Sequence, residues 1–187
     1  MTVFAQQRSF PGWRWVAVAF AFPLAGLAGW TIGGRVDAVE AALLGGAITG
    51  AGLGAVQWWA ARGALGHPAA WIVSSAAGYG AGLTAGAALV GYHTDIGSLA
   101  LMGLVSGTVL GAAQGLALAR QGDPRLALAW GAAMPLLFAA GWCATSAIGV
   151  SVEDQFTVFG AAGALTFMLL SGLVLARFER PGAQPAS

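Results

Sequence analysis

Residues 46–57 read GAITGAGLGAVQ, residues 103–114 read GLVSGTVLGAAQ, and residues 160–171 read GAAGALTFMLLS. The offset is 57 residues both times, from Gly46 to Gly103 to Gly160. The first two copies share glycines every fourth residue (Gly46, Gly50 and Gly54; Gly103, Gly107 and Gly111), a hydroxyl at Thr49 and Ser106, and a glutamine at Gln57 and Gln114. The third copy is degenerate, but its C-terminal LVLAR at 173–177 echoes GLALAR at 115–120. A fixed period of this kind marks a supersecondary unit used several times. Between the copies the correspondence is looser: Ala28-Gly29-Trp30, Ala77-Gly78-Tyr79 and Ala140-Gly141-Trp142 share a small-small-aromatic pattern, and Pro23-Leu24 and Pro135-Leu136 each precede their tryptophan by the same spacing.

The repeat sits in a chain that cannot cover a water-facing surface. Of 187 residues, 58% are hydrophobic and only 8% charged, against about 25% charged in soluble domains. The mean hydropathy of +0.76 points the same way. Charged and turn-forming residues divide the chain into six apolar stretches, at 12–34, 38–61, 69–91, 98–119, 126–149 and 156–177. Each exceeds the roughly 20 residues that cross a bilayer as a helix. The first is too long for the apolar region of a cleaved signal peptide, and it supplies the partner that the repeat requires. The expected fold is therefore an all-α integral membrane domain over 1–187. Its six transmembrane helices form three parallel two-helix hairpins (12–62, 69–120 and 126–177) about a pseudo-threefold axis, with 178–187 as a short tail.

Arginine placement predicts the orientation. Arg8, Arg14, Arg62, Arg120, Arg125, Arg177 and Arg180 fall on one side of the six spans, and only Arg35 on the other. By the positive-inside rule both termini are cytoplasmic in a cell inner (plasma) membrane. Asp37, Glu40, Asp95, Glu153 and Asp154 fall on the outer side. The lack of lysine, with abundant alanine and arginine, suggests a bacterial source of high GC content.

Composition also excludes chemistry. There is no lysine, hence no lysine Schiff base and no Walker phosphate loop. Cys143 is the only cysteine, and His67 and His93 fall in opposite loops, so no metal-ligand spacing exists and no cofactor is expected. A net charge of +1 leaves no nucleic-acid footprint. No Asp, Glu, Arg or His falls clearly inside the hydrocarbon part of a span, which speaks against proton relays and ion-coupled transport. With no nucleophile–base pair in view, the expectation is that the protein is not an enzyme.

The conspicuous residues invite structural readings first. The glycines of the two strong copies, with Gly78, Gly82 and Gly86 in the third span, form ridges of small residues, the usual means by which helices associate in lipid. Thr49 and Ser106 are expected to bond a carbonyl one turn back in their own helix. Gln57 and Gln114, with Ser171 in the third copy, lie near the cytoplasmic interface. They are read as hydrogen-bonding neighbouring helices or as a polar collar at a mouth. Trp13, Trp15, Trp58, Trp59 and Trp71 fit a cytoplasmic aromatic belt. Trp30, Tyr79 and Trp142, each beside a glycine, are candidate walls of a cavity.

A glycine ridge followed by Gln57-Trp58 and the basic turn at Arg62 resembles small, glycine-rich polytopic bacterial membrane proteins of unknown function. In the second copy Gly115 stands where the first has Trp58. The resemblance implies a compact helical membrane protein and no activity. Mitochondrial carriers also use three hairpins, but their proline–acid–basic signature is absent. The spaced Ala17, Ala21 and Ala25 are similar to the first helix of energy-coupling-factor substrate-binding components, although a threefold repeat does not suit that family.

Two functional expectations follow. The first is a non-catalytic scaffold or accessory subunit, with the lipid bilayer and other membrane subunits, or itself, as partners and no nucleic acid. The alternative is a passive channel or substrate-capture component for a small neutral solute.

Overall fold

The computed structural model describes residues 12–61, 64–150, 152 and 157–178. Arg8, Arg62, Glu153, Asp154 and Arg180, which entered the orientation argument, and the tail beyond Phe178 lie outside the described residues. Among the described residues the regular structure is entirely helical: α1 (Gly12–Ala17), a 3₁₀ turn (Val18–Phe20), α2 (Ala21–Gly33), α3 (Val39–Ala61), α4 (Pro68–Leu89), α5 (Ile96–Arg120), α6 (Pro124–Ala147) and α7 (Ala161–Arg177). The segment 12–33 forms one rod, tightened where Pro23 has no N–H and its ring crowds the carbonyl of Ala19. That rod and α3 to α6 make five helices long and apolar enough to cross a membrane. This is a multi-pass helical membrane architecture.

The helix boundaries have local causes. Asp95 caps α5 by accepting the Ser98 N–H at 3.0 Å, and Asp123 caps α6 by accepting the Leu126 N–H at 3.1 Å. Pro68 and Pro124 occupy first turns, where a missing N–H costs nothing. After α2 and α5 the chain turns at Gly34 (φ 89°) and Gly122 (φ 90°), a conformation that side chains disfavour.

Consecutive helices pack antiparallel, and α7 returns onto α1 and the 3₁₀ turn, so the elements close into a ring. One end carries Asp37, Glu40 and Asp95 and is called the acidic end; the other carries Arg14, Arg120, Arg125 and Arg177. Glycines lie at the seams. A Cβ on Gly46 would sit 3.0 Å from the Gly80 Cα, and on Gly54 2.7 Å from the Ser75 Cβ. On Gly50 it would overlap the Ser75 carbonyl oxygen. Gly103, Gly107 and Gly111 meet α6 in the same way, through Ala139, Met134 and Pro135, and Gly131 with Met134. Gly78, Gly82 and Gly86 face α5 at Leu110, Ser106 and Met102.

The outer surface is greasy and the interior aromatic. Leu24, Leu116, Leu128, Leu136 and Leu173 are exposed, whereas Trp15, Trp71, Trp130, Phe22, Phe159 and Phe167 are fully enclosed. Exposed leucines beside a buried core are what a lipid-facing surface requires, because water is not the solvent on that side.

The last span departs from expectation. A helix was expected over 156–177, but α7 starts at Ala161 and has 17 residues. Residues 157–160 are non-helical, with Gly160 extended at its N-cap (φ −70°, ψ −174°). Thr157, Val158 and Phe159 are buried. The apolar composition of this stretch reflects burial inside the bundle, not a continuous helix facing lipid.

Candidate functional site

The non-helical segment 157–160 enters the ring from the acidic end. The Tyr79 hydroxyl donates to the Thr157 carbonyl at 2.5 Å. Tyr79 lies ten residues before the last residue of α4, so at 1.5 Å per residue the segment reaches roughly 15 Å into the bundle. Irregular backbone survives at such depth only where protein satisfies its polar groups. The Thr157 hydroxyl shares a 2.7 Å hydrogen bond with Thr49 Oγ1 and lies 3.2 Å from the Gly26 carbonyl oxygen. The Gly160 N–H donates to Thr145 Oγ1 at 3.1 Å, and that hydroxyl donates to the Gly141 carbonyl at 2.9 Å.

The side chains hold the segment as firmly as its backbone does. Phe159 stacks on Phe22 at 5.3 Å and meets Phe138, Trp142 and Phe167 at 5.6, 5.8 and 5.8 Å between ring centroids. Offset and edge-on aromatic pairs at these separations are attractive. Gly26 makes room for this, since a Cβ there would lie 2.5 Å from a methyl of Val158.

Above the segment lies a cavity of about 400 Å³. Pro23, Gly26 and Leu27 of α2 line one side, Ala87, Leu99 and Met102 the other, and Trp142, Thr145, Val158 and Phe159 the base. Tyr92, His93 and Thr94 also line it. Among the described residues no Arg, Asp or Glu lines it, and the lining is overwhelmingly apolar. The Trp142 indole N–H is buried and has no acceptor among the described residues. Among the described residues no group of His, Cys, Asp and Glu is close enough together to hold a metal ion.

The three candidate cavity-wall aromatics separate. Trp142 lines the cavity, whereas Tyr79 is buried deeper as an anchor for Thr157, and Trp30 is half-buried on α2 and does not line it. Sequence reasoning missed Phe159, Thr157 and Thr145. The one available signal was the mismatch between GAAGALTFMLLS and the two strong copies, read as decay where the chain changes conformation.

At the opposite end the polar positions lie against indoles. Trp130 Nε1–H donates to Gln114 Oε1 at 2.8 Å, and Gln114 Nε2 donates to Ser75 Oγ at 2.8 Å. Trp15 Nε1–H donates to Ser171 Oγ at 3.0 Å. Gln57 is buried as well, and the Trp71 N–H is enclosed without an acceptor among the described residues. The rings of Trp15 and Trp71 both meet Trp130 edge-on, at 6.2 and 5.7 Å. Gln57, Gln114 and Ser171 thus sit inside the bundle and not around an open mouth. The belt expectation for Trp15 and Trp71 is corrected too, because both rings are fully enclosed and packed edge-on against Trp130, Trp15 also bonding Ser171, and neither points outward. Trp13 and Trp59 are exposed, with the Arg14 guanidinium 4.0 Å from the Trp59 ring centroid. Trp58 is half-buried, and its N–H reaches the Gly66 carbonyl at 2.7 Å.

The two ends therefore differ: one is closed by tryptophans and the other holds an apolar cavity. No protein-family model, curated protein or solved structure matches this chain.

Proposed function

We propose that this protein is a non-catalytic membrane capture protein that holds a small, neutral, predominantly apolar molecule in the cavity beneath its acidic end. The observation that carries the reading is the cavity itself. About 400 Å³ of apolar space falls within the range of small-molecule sites. The interior below it is filled by Phe22, Phe138, Phe159 and Phe167 and then by the three tryptophans, which favours holding over conduction.

In this reading the chain crosses the membrane six times, α7 completing its span with the segment 157–160. The hairpins α2–α3, α4–α5 and α6–α7 are copies of one unit about a pseudo-threefold axis. Two hydrogen bonds at the 57-residue offset support this: Thr49 Oγ1 donates to the Ala25 carbonyl at 3.2 Å, and Ser106 Oγ to the Gly82 carbonyl at 3.1 Å. The acidic end faces away from the cytoplasm of a bacterial cell and both termini face into it. With Asp95→Cys and Asp123→Cys variants, a membrane-impermeant maleimide should label the two positions from opposite sides; labelling from one side overturns the six-span orientation.

Capture is tested by native mass spectrometry of protein extracted in mild detergent, compared with Leu27→Trp, which fills the cavity from its exposed rim. A small molecule retained by the wild type and lost from a folded Leu27→Trp supports capture. An empty wild type that co-purifies at fixed stoichiometry with another membrane protein supports a scaffold or accessory role instead.

A further inference from the structure

Resting on the capture reading, we infer that the captured molecule is an apolar chain borne by the bilayer, and that it enters the cavity sideways from the membrane, between α2 and α7. The opening follows from where α7 starts. α3 and α5 begin 57 residues apart, at Val39 and Ile96, and a further 57 leads to residue 153. α7 begins eight residues later, at Ala161. Eight residues of helix span about 12 Å, so α7 rises that much less far toward the acidic end than the repeat would take it.

The cavity lies beside that shortened end. α2 lines it with Pro23, Gly26 and Leu27, α6 with Trp142 and Thr145, and α7 with its first residue, Ala161. Pro23, Leu27 and Ala161 are also exposed, Leu27 by 53%. Residues that both line a cavity and are exposed mark where it meets its surroundings. Pro23 and Leu27 lie ten and six residues before Gly33 at the acidic end of α2, hence roughly 9–15 Å below that end. The rod 12–33 has 22 residues, about the length that crosses the hydrocarbon, so its flank at that depth meets lipid. Further down the ring is shut: Phe22 meets Phe167 at 5.9 Å, and Trp15 bonds Ser171. There α7 packs on α1 and the 3₁₀ turn, whereas it scarcely touches α2.

His93 and Val150, exposed at the acidic end, line the cavity too and offer a second approach, from water. Solubility decides between the two. An apolar molecule is far more concentrated in hydrocarbon than in water, and entry through the flank spares it the aqueous phase.

The probes are a hexadecane carrying one diazirine and a phosphatidylglycerol carrying a diazirine midway along one acyl chain, each in nanodiscs with the full-length protein. After illumination, adducts are located by peptide mass spectrometry. Leu99 and Met102 line the cavity and are buried, so they are labelled only when a chain is inside; exposed Leu128 and Leu136 report the outer surface. The wild type should carry adducts on Leu99 or Met102. Ala161→Trp, which narrows the flank at an exposed position, should lower their yield relative to Leu128 about tenfold, as overpacking an entrance implies. His93→Trp, at the aqueous approach, should not. Interior adducts from hexadecane alone assign a free molecule; interior adducts from the phospholipid assign a lipid's own chain. If Ala161→Trp leaves the yield unchanged, or His93→Trp lowers it as much, the flank is not the entrance; the inference is wrong and capture stands. If neither probe reaches Leu99 or Met102, the inference is wrong, and native mass spectrometry separates the two failures. A molecule retained by the wild type and lost from Leu27→Trp keeps capture, and an empty wild type ends both.

Discussion

Replacing Gly50 with alanine tests whether the α3–α4 seam is as tight as its geometry states. The added Cβ would overlap the Ser75 carbonyl oxygen and lie 2.9 Å from the Tyr79 Cβ and 3.0 Å from the Ser75 carbonyl carbon. These atoms cannot rotate away, so α3 and α4 must separate, and overpacking of this kind costs about 1–3 kcal/mol. Alanine also raises helix propensity by up to about 1 kcal/mol, which would blur the result in isolation. Gly52 on the same helix supplies the control, because its Cβ would meet only the Ala25 Cβ at an ordinary 3.4 Å. Gly52→Ala receives the same propensity gain without the clash. The difference between the two variants therefore isolates packing, at about 2 kcal/mol in favour of Gly52→Ala. Reversible unfolding in mixed micelles of increasing dodecyl sulfate content, followed by tryptophan fluorescence, measures it. If the two variants agree within about 0.5 kcal/mol, smaller than any overpacking cost, the seam is looser than described and the argument from glycine contacts is refuted.

Other perturbations probe the rest of the bundle. Gln114→Leu strips the acceptor from Trp130 and the donor from Ser75, and should cost about 1–2 kcal/mol. Combined with Trp130→Phe the loss should be less than additive, whereas simple additivity in the same unfolding assay would deny the contact. Tyr79→Phe removes the hydroxyl that holds Thr157; it should lower stability by about 1 kcal/mol and speed amide exchange at 158–160, and unchanged exchange would show the segment is held otherwise. Asp95 is held below the usual carboxylate range, first by the Ser98 hydroxyl and then by backbone N–H groups. A lowered pKa contributes stability above the ordinary carboxylate value that fades as pH falls through the folded one. Asn keeps the cap without titrating, so the stability of wild type over Asp95→Asn should shrink on acidification below about pH 4; a gap constant from neutral pH to acid contradicts this.

Helices were legible in this sequence because apolar stretches, prolines and acidic caps all mark the same boundaries. α4, α5 and α6 start at Pro68, Ile96 and Pro124, within two residues of the expected positions. Apolar composition cannot say whether a stretch faces lipid or fills an interior, since both demand apolar residues. For that reason 157–160 read as helix, and Trp15 and Trp71 read as interfacial anchors. An indole has an apolar body and one donor, and only the fold decides whether that donor meets water or Ser171. The cavity was invisible for a related reason: its walls come from α2, α4, α5, α6 and the segment before α7, and no single stretch carries its signature.

The entry of residues 157–160 into the ring also constrains biogenesis. Membrane insertion delivers helices whose backbone hydrogen bonds are already closed, and this segment has none of its own to close. Its acceptors and donors, the Tyr79 hydroxyl, the Gly26 carbonyl and Thr145, belong to three different helices. They come together only after α2, α4 and α6 have assembled. The segment can therefore seat only once those helices are in place.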